Sequence, residues 1–246
     1  MIGFDRPLKP RWIYEALQLW RPNTRLKEFY SDFNQIAHEL SGREGKRKVR
    51  TVLFRYFFDF EGHAPNQITT QKSFLALVSR QGSLDELKPV YLIVLLDRSE
   101  TTRKILDNIL RLFPFGKSIS TEQLIDKTVK LHGERDVVKR STRSFLMTLV
   151  HFGILRRNGN DYEWVNKLAC SPKGMAYALI SYCSDERRVE IELREIRQEM
   201  RFRLLDQSCL EDCAKKYNGT LWSFIRRPGT AKIMLNQDSM QKIASI

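Results

Sequence analysis

Recognisable catalytic and metal-binding motifs are what this sequence has least of. It carries four cysteines in 246 residues. Cys209 and Cys213 stand four apart, one helical face, while Cys170 and Cys183 stand apart, and neither a CxxC nor a Cys/His cluster with zinc spacing occurs. The thiols therefore read as small core residues in a reducing compartment. His38, His63, His132 and His151 are equally unclustered. A glycine-rich phosphate loop, a nucleophile elbow and an acidic pair at metal spacing are all missing. The expectation is a protein that is not an enzyme, with no cofactor, metal or small-molecule substrate. Long apolar runs are absent too. The longest, Val90 to Leu96, falls far short of the ~18 residues of a spanning helix and fits a turn or two of buried helix. MIGFDRPLKPRW offers no h-region or cleavage site, so the expected location is cytoplasmic, with no membrane partner.

Acidic residues are also in short supply: 29 Asp and Glu face 42 Lys and Arg, leaving a net charge of +13 and a pI near 9.7. Such a balance points to a polyanionic partner, nucleic acid foremost, although an anionic membrane surface attracts the same charge. An apolar share of 42% and an aromatic share of 11% are those of a folded chain. The length suits one large or two small domains.

The stretch from Ser118 to Val165 organises the rest. Ser120 or Thr121 is placed to cap a helix with Glu122 and Gln123 in its first turn, and Leu124, Ile125, Val129 and Leu131 form one apolar stripe. Gly133 ends that helix. A second follows, with Val138, Phe145, Leu146, Leu149, Val150 and Phe152 spaced for burial and Gly153 at its C-cap. Ile154–Arg157 and Asp161–Val165 then flank Asn158-Gly159, a signal for a tight hairpin. Helix, turn, helix and hairpin is the order of a winged-helix module, in which the second helix enters the major groove of a duplex. Lys139, Arg140, Ser141, Thr142 and Arg143 open that helix as donors suited to phosphates or base edges, and Arg156 and Arg157 adjoin the wing tip. The same module used for protein contact, with its charges merely solvated, is the alternative.

Ahead of this stretch, helices are expected from about Arg11 to Trp20, then to about Leu40 after a break at Pro22-Asn23 and a cap at Asn23 or Thr24. A third is expected from Gly45 to Phe60. It opens with Lys46, Arg47, Lys48 and Arg50, a basic run at the positive end of the helix dipole that suits an anionic ligand, the alternative being a solvated face of a helical bundle. Its later half, Leu53, Phe54, Phe57 and Phe58, suits a core. Another helix is expected from Thr69 or Thr70 with Phe74, Leu75, Leu77 and Val78 inward, then Leu84–Leu96 and Thr101–Phe113. Behind the module, Asp185 to about Lys216 reads as one long charged helix with Val189, Leu193, Ile196 and Met200 on a narrow stripe. Leu221–Ile225 and Ala231–Leu235 read as strands across Arg226-Arg227-Pro228-Gly229. The expected fold is mainly α. A helix-turn-helix-like N-terminal bundle (1–83) precedes a helix pair and winged helix (84–182), and a long helix with a small β-hairpin (183–246) follows.

The helix pair Leu87–Phe113, the helix opened by Ser120 and the run RSTRSFLMTLVHFGILR together resemble the BrxA family of BREX (bacteriophage exclusion) phage-defence systems. Thr142, Arg143, Leu149, Gly153, Ile154 and Leu155 carry the likeness, and WIYEALQLWRPNTRLKEFYSDFNQI with the Arg-rich third helix fits the same layout. It spans about residues 10 to 182 as a pattern rather than a strict motif. The resemblance implies double-stranded DNA binding without catalysis, alongside other proteins of a defence complex. The competing class is a winged-helix protein-interaction scaffold or transcriptional regulator.

Overall fold

The computed structural model describes residues 4–19, 26–58, 74–133, 136–185, 188–236 and 238–243. The chain is mainly α-helical, with two three-stranded antiparallel sheets. Among the described residues no helix is long and apolar enough to cross a membrane. Two compact units divide it: Met1–Ala76 with Arg98–Asn166, and Leu77–Asp97 with Lys167–Ile246. The consecutive segments 1–83, 84–182 and 183–246 part the chain at other places. Periodicity identifies a helix but not the neighbour on which it packs.

The first unit contains α1 (Pro10–Leu19), α2 (Leu26–Ile36) and α3 (Arg43–Phe57). The helix α4 (Phe74–Gln81) passes from the first unit to the second, and α5 (Leu84–Arg98) returns. The first unit then continues with α6 (Glu100–Leu112), β1 (Ser118–Ile119), α7 (Thr121–His132), α8 (Asp136–His151), β2 (Leu155–Asn158) and β3 (Asp161–Trp164). Trp20, the break and cap at 22–24, Phe60 and the start near Thr69 lie outside the described residues. Phe54 and Phe58 of the third helix and its exit pack against Phe29, tilted and edge-on, at 5.1 and 5.5 Å between ring centroids. The segment before α1 is part of the core. Phe4 packs edge-on to Phe145 at 6.4 Å, and the Leu8 amide donates to the Thr148 hydroxyl at 3.0 Å. Each such fully buried aromatic or aliphatic side chain contributes about 1.5–3 kcal/mol.

In the second unit α5 is apolar on nearly every side, from Leu87 to Leu96, and is buried accordingly. Ser83 opens it with a capping box: its amide donates to Glu86 Oε2 at 2.9 Å and its hydroxyl accepts from the Glu86 amide. The helix α9 (Pro172–Asp185) lies close against it at Gly174, where a Cβ would stand 2.7 Å from the Glu86 carbonyl oxygen. Only glycine fits there.

The long charged helix from Asp185 to Lys216 is not formed. In its place are β4 (Glu190–Glu192), α10 (Leu193–Gln198), a 3₁₀ turn (Met200–Phe202) and α11 (Leu210–Lys216). Two tertiary contacts outweigh the helical period. Glu190 to Glu192 pair with β6 (Thr230–Leu235), burying Ile191, and Leu205 bridges to Leu168 with Leu204 and Leu205 fully buried. Leu193 and Ile196 are buried as expected, whereas Val189 is 72% exposed. The hairpin β5 (Trp222–Arg227) to β6 turns at Pro228-Gly229, with Gly229 at φ +80°. Asn236 and Ser239 fasten its end to Leu221 before the short α12 (Ser239–Lys242).

Candidate nucleic-acid interface

The order α6, β1, α7, α8, β2, β3 is held by local signals that the sequence displays. The Ser120 hydroxyl caps α7 by accepting from the Gln123 amide. Gly153 closes α8: its amide reaches the Val150 carbonyl, and the Ile154 amide reaches Leu149 at 3.0 Å. This is the paired 5→2 and 6→1 pattern of a Schellman motif, completed by buried Leu149 and Ile154. Phe145 and Leu149 face the core, and Arg140 and Arg143 face solvent on the other side of α8. On α7, Leu124 and Ile125 are buried but Leu131, in the last turn, is 57% exposed.

Two differences concern the sheet. The register pairs Asn158 with Asp161, so Gly159-Asn160 is the turn and Asn158 ends the strand. Gly159 at φ +61° supplies the left-handed residue such a two-residue turn requires. The hairpin also has a third strand, β1, beside β3. Two residues are too few to show alternation in a sequence.

Lys139, Arg143 and Met147, at successive i+4 positions of α8, line one wall of a groove of about 870 Å³. Its other walls come from the start of α7 and from Arg157, Asn160, Asp161 and Tyr162 of the hairpin. Arg140 is exposed one row away. Burial pushes the Tyr162 phenol up, partly offset by the nearby Arg157 and Arg143 guanidinium groups.

Ser141 and Thr142 do not belong to this surface. Both are fully buried on the core side of α8, and Thr142 Oγ1 donates back to the Val138 carbonyl at 3.0 Å. Residue chemistry suits both to DNA, but a helical rotation of about 100° per residue turns them off the outward row and into the core. The two hairpin arginines also separate. Strand alternation sends Arg157 towards the groove and Arg156 to the opposite face, where it pairs with Glu163 at 2.8 Å. Glu163 is held below the usual carboxylate range by Arg156 and by Asn158, which donates to it at 2.6 Å.

The basic turn of α3 is largely engaged within the unit. Arg47 forks onto Glu44 at 2.8 Å, Arg50 lies 3.4 Å over the Tyr30 ring, and Lys46 reaches the Asn34 carbonyl. Lys48 is half-buried. These residues lie outside the groove that joins α8 to the hairpin.

Three carboxylates that are not among the expected site residues also line that groove: Glu122, Asp126 and Asp161. The first two stand at i, i+4 on α7, a spacing visible in the chain. Asp161 accepts from the Thr121 amide at 3.0 Å, so the hairpin itself caps the helix dipole of α7. Among the cysteines, Cys183 and Cys213 are buried, and the Cys170 thiol donates to the Ser171 carbonyl at 3.7 Å. Among the described residues no three His, Cys, Asp or Glu side chains converge as a metal site. No protein-family model, no curated protein and no solved structure matches this chain.

Proposed function

We propose that the protein is a non-catalytic double-stranded DNA-binding protein whose first unit acts as a winged helix. In this reading α6, α7 and α8 are its helices, α8 is the groove-facing helix, and β2–β3 is the wing. The observation that carries it is the convergence of Lys139 and Arg143 from α8 with Arg157 from the hairpin on one groove, with Arg140 exposed beside them. Helix cations anchor on phosphates and reach base edges, while a wing cation meets backbone or minor groove. The overall +13 charge adds long-range attraction.

The resemblance to the BrxA family supplies the proposed setting, an accessory role in a BREX-like phage-defence complex. Of the residues that carry it, Leu149, Gly153 and Ile154 terminate α8 and Thr142 is in the core. They support the fold of this segment, and the defence setting rests on the likeness alone. An electrophoretic shift with random duplex at two salt concentrations tests the binding. The expected result is a complex at low salt that weakens steeply as salt rises.

A protein-contact scaffold is the second reading, favoured by one observation. Glu122, Asp126 and Asp161 balance Lys139, Arg143 and Arg157 in the groove, and such mixed charge suits a protein surface. A duplex affinity with no dependence on salt, or no duplex binding, would favour it.

A further inference from the structure

A second groove, in the other unit, has a more one-sided charge than the first. It measures about 300 Å³ and lies between α10 and the β5–β6 turn. Arg194 and Arg197, three apart on α10, enter it from one side, and Arg226 and Arg227 from the hairpin tip; Glu211 is its one carboxylate. All four arginines are exposed. We propose that this groove is a phosphate-binding site for a nucleic-acid backbone.

The geometry brings four arginines to one groove from two places far apart in sequence. The helix places Arg194 and Arg197 on one face, and the pairing of β6 with both β4 and β5 sets the hairpin beside α10. Like charges gathered this way repel one another unless an anion lies between them. Glu211 supplies one such anion. Its carboxylate accepts from Arg226 at 2.5 Å and pairs with Lys215 at 3.3 Å. It is held low chiefly by the Lys215 hydrogen bond, then by Arg226, with a further contribution from Arg197. An anionic oxygen is thus already accommodated at one edge. Arg194 and Arg227 make no ion pair among the described residues. Arginine forks match phosphate oxygens bidentately, which lysine cannot do. Four arginines against one carboxylate favour phosphate more strongly than the balanced groove beside α8.

The inference shares with the proposed function only the premise that the partner is nucleic acid. The test uses the full chain and a fluorescein-labelled random 20-base-pair duplex, with anisotropy followed across a salt series. Arg194→Gln with Arg197→Gln should make the slope of log K against log salt shallower by about two, at about 0.9 per phosphate contact. If the two grooves hold separate duplexes, the pair should instead abolish one of two binding events. Arg194→Lys with Arg197→Lys should keep the parent slope. Glu211→Gln should tighten binding several-fold by removing the competing carboxylate. Should the glutamine pair lower the thermal midpoint, Arg227→Gln at the hairpin tip carries the test, with a slope shallower by about one. Parent-like binding of these arginine variants, together with no effect of Glu211→Gln, overturns the inference and leaves the α8 surface standing. Loss in these variants alone, with Arg140→Ala and Arg143→Ala like the parent, supports this groove and removes the α8 surface. Absence of duplex binding by the parent overturns both.

Discussion

The guanidinium of Arg201 donates to the Asp97 carboxylate at 2.6 Å, across 104 residues of sequence, with 8% and 3% of the two side chains exposed. The same guanidinium reaches Glu199 at 2.9 Å and lies 4.4 Å over the Tyr182 ring. It therefore ties the end of the buried α5 to the 3₁₀ turn where the expected long helix is interrupted. Removing one partner of a buried pair leaves an uncompensated charge. Arg201→Met should destabilise the second unit by about 3–5 kcal/mol in denaturant unfolding, and Asp97→Asn added to it should recover part of the loss. A cost below about 1 kcal/mol would mean that the pair is solvated.

Leu149 is fully buried and packs beneath the turn that closes α8. Leu149→Ala should cost about 2–5 kcal/mol through lost transfer energy and the cavity left behind. The check is the denaturant midpoint at unchanged m-value. A negligible change would place this face of α8 in solvent.

Ser141 separates composition from geometry. Its hydroxyl is buried and meets no hydrogen-bond partner among the described residues. Ser141→Ala should be neutral or stabilising by up to about 1 kcal/mol, because an unsatisfied buried hydroxyl is lost. Duplex affinity should be unchanged. Weakened DNA binding in a stably folded Ser141→Ala protein would put this side chain on the interface.

Caps and breakers are local, so Ser120, Gly133 and Gly153 showed where α7 and α8 begin and end, and Pro228-Gly229 showed the second hairpin. Facing is less local. Ser141 and Thr142 read as DNA donors by residue type, and Arg156 and Arg157 read as a pair, until the turn of a helix and the pleat of a strand assigned them to different sides. Tertiary pairing is not local at all. Glu190 to Glu192 satisfy a helical stripe in sequence but complete a sheet with β6, and the arginines of α10 meet those of the hairpin tip only through that sheet.

Glu39 gives the first unit a pH dependence. Burial pushes its carboxyl up, but a backbone amide, Lys9 at 3.1 Å and the Trp12 indole at 2.8 Å outweigh it and hold the pKa at about 2, against an ordinary 4.5. The folded-state value lies below the unfolded one. Its stabilisation is therefore complete above about pH 4.5 and is lost as pH falls towards 2. The stability difference between the parent and Glu39→Gln should be largest above that window and vanish near its lower end. A difference independent of pH would contradict the assignment.

The most direct measurement of the DNA reading is the salt dependence of duplex binding by the parent, Arg140→Ala/Arg143→Ala and Arg156→Ala/Arg157→Ala proteins, each checked for unchanged thermal unfolding. If about six phosphates are neutralised, the parent slope of log K against log salt should lie near −5. The hairpin pair should weaken all duplexes alike and make the slope shallower by about one to two, with Arg157→Ala contributing more than Arg156→Ala. The helix pair should weaken binding at least as much, and any sequence preference should be lost with it, at about 1–3 kcal/mol for each bidentate base contact. A flat salt response, or both pairs binding like the parent, would contradict the assignment of α8 and its hairpin as the DNA surface.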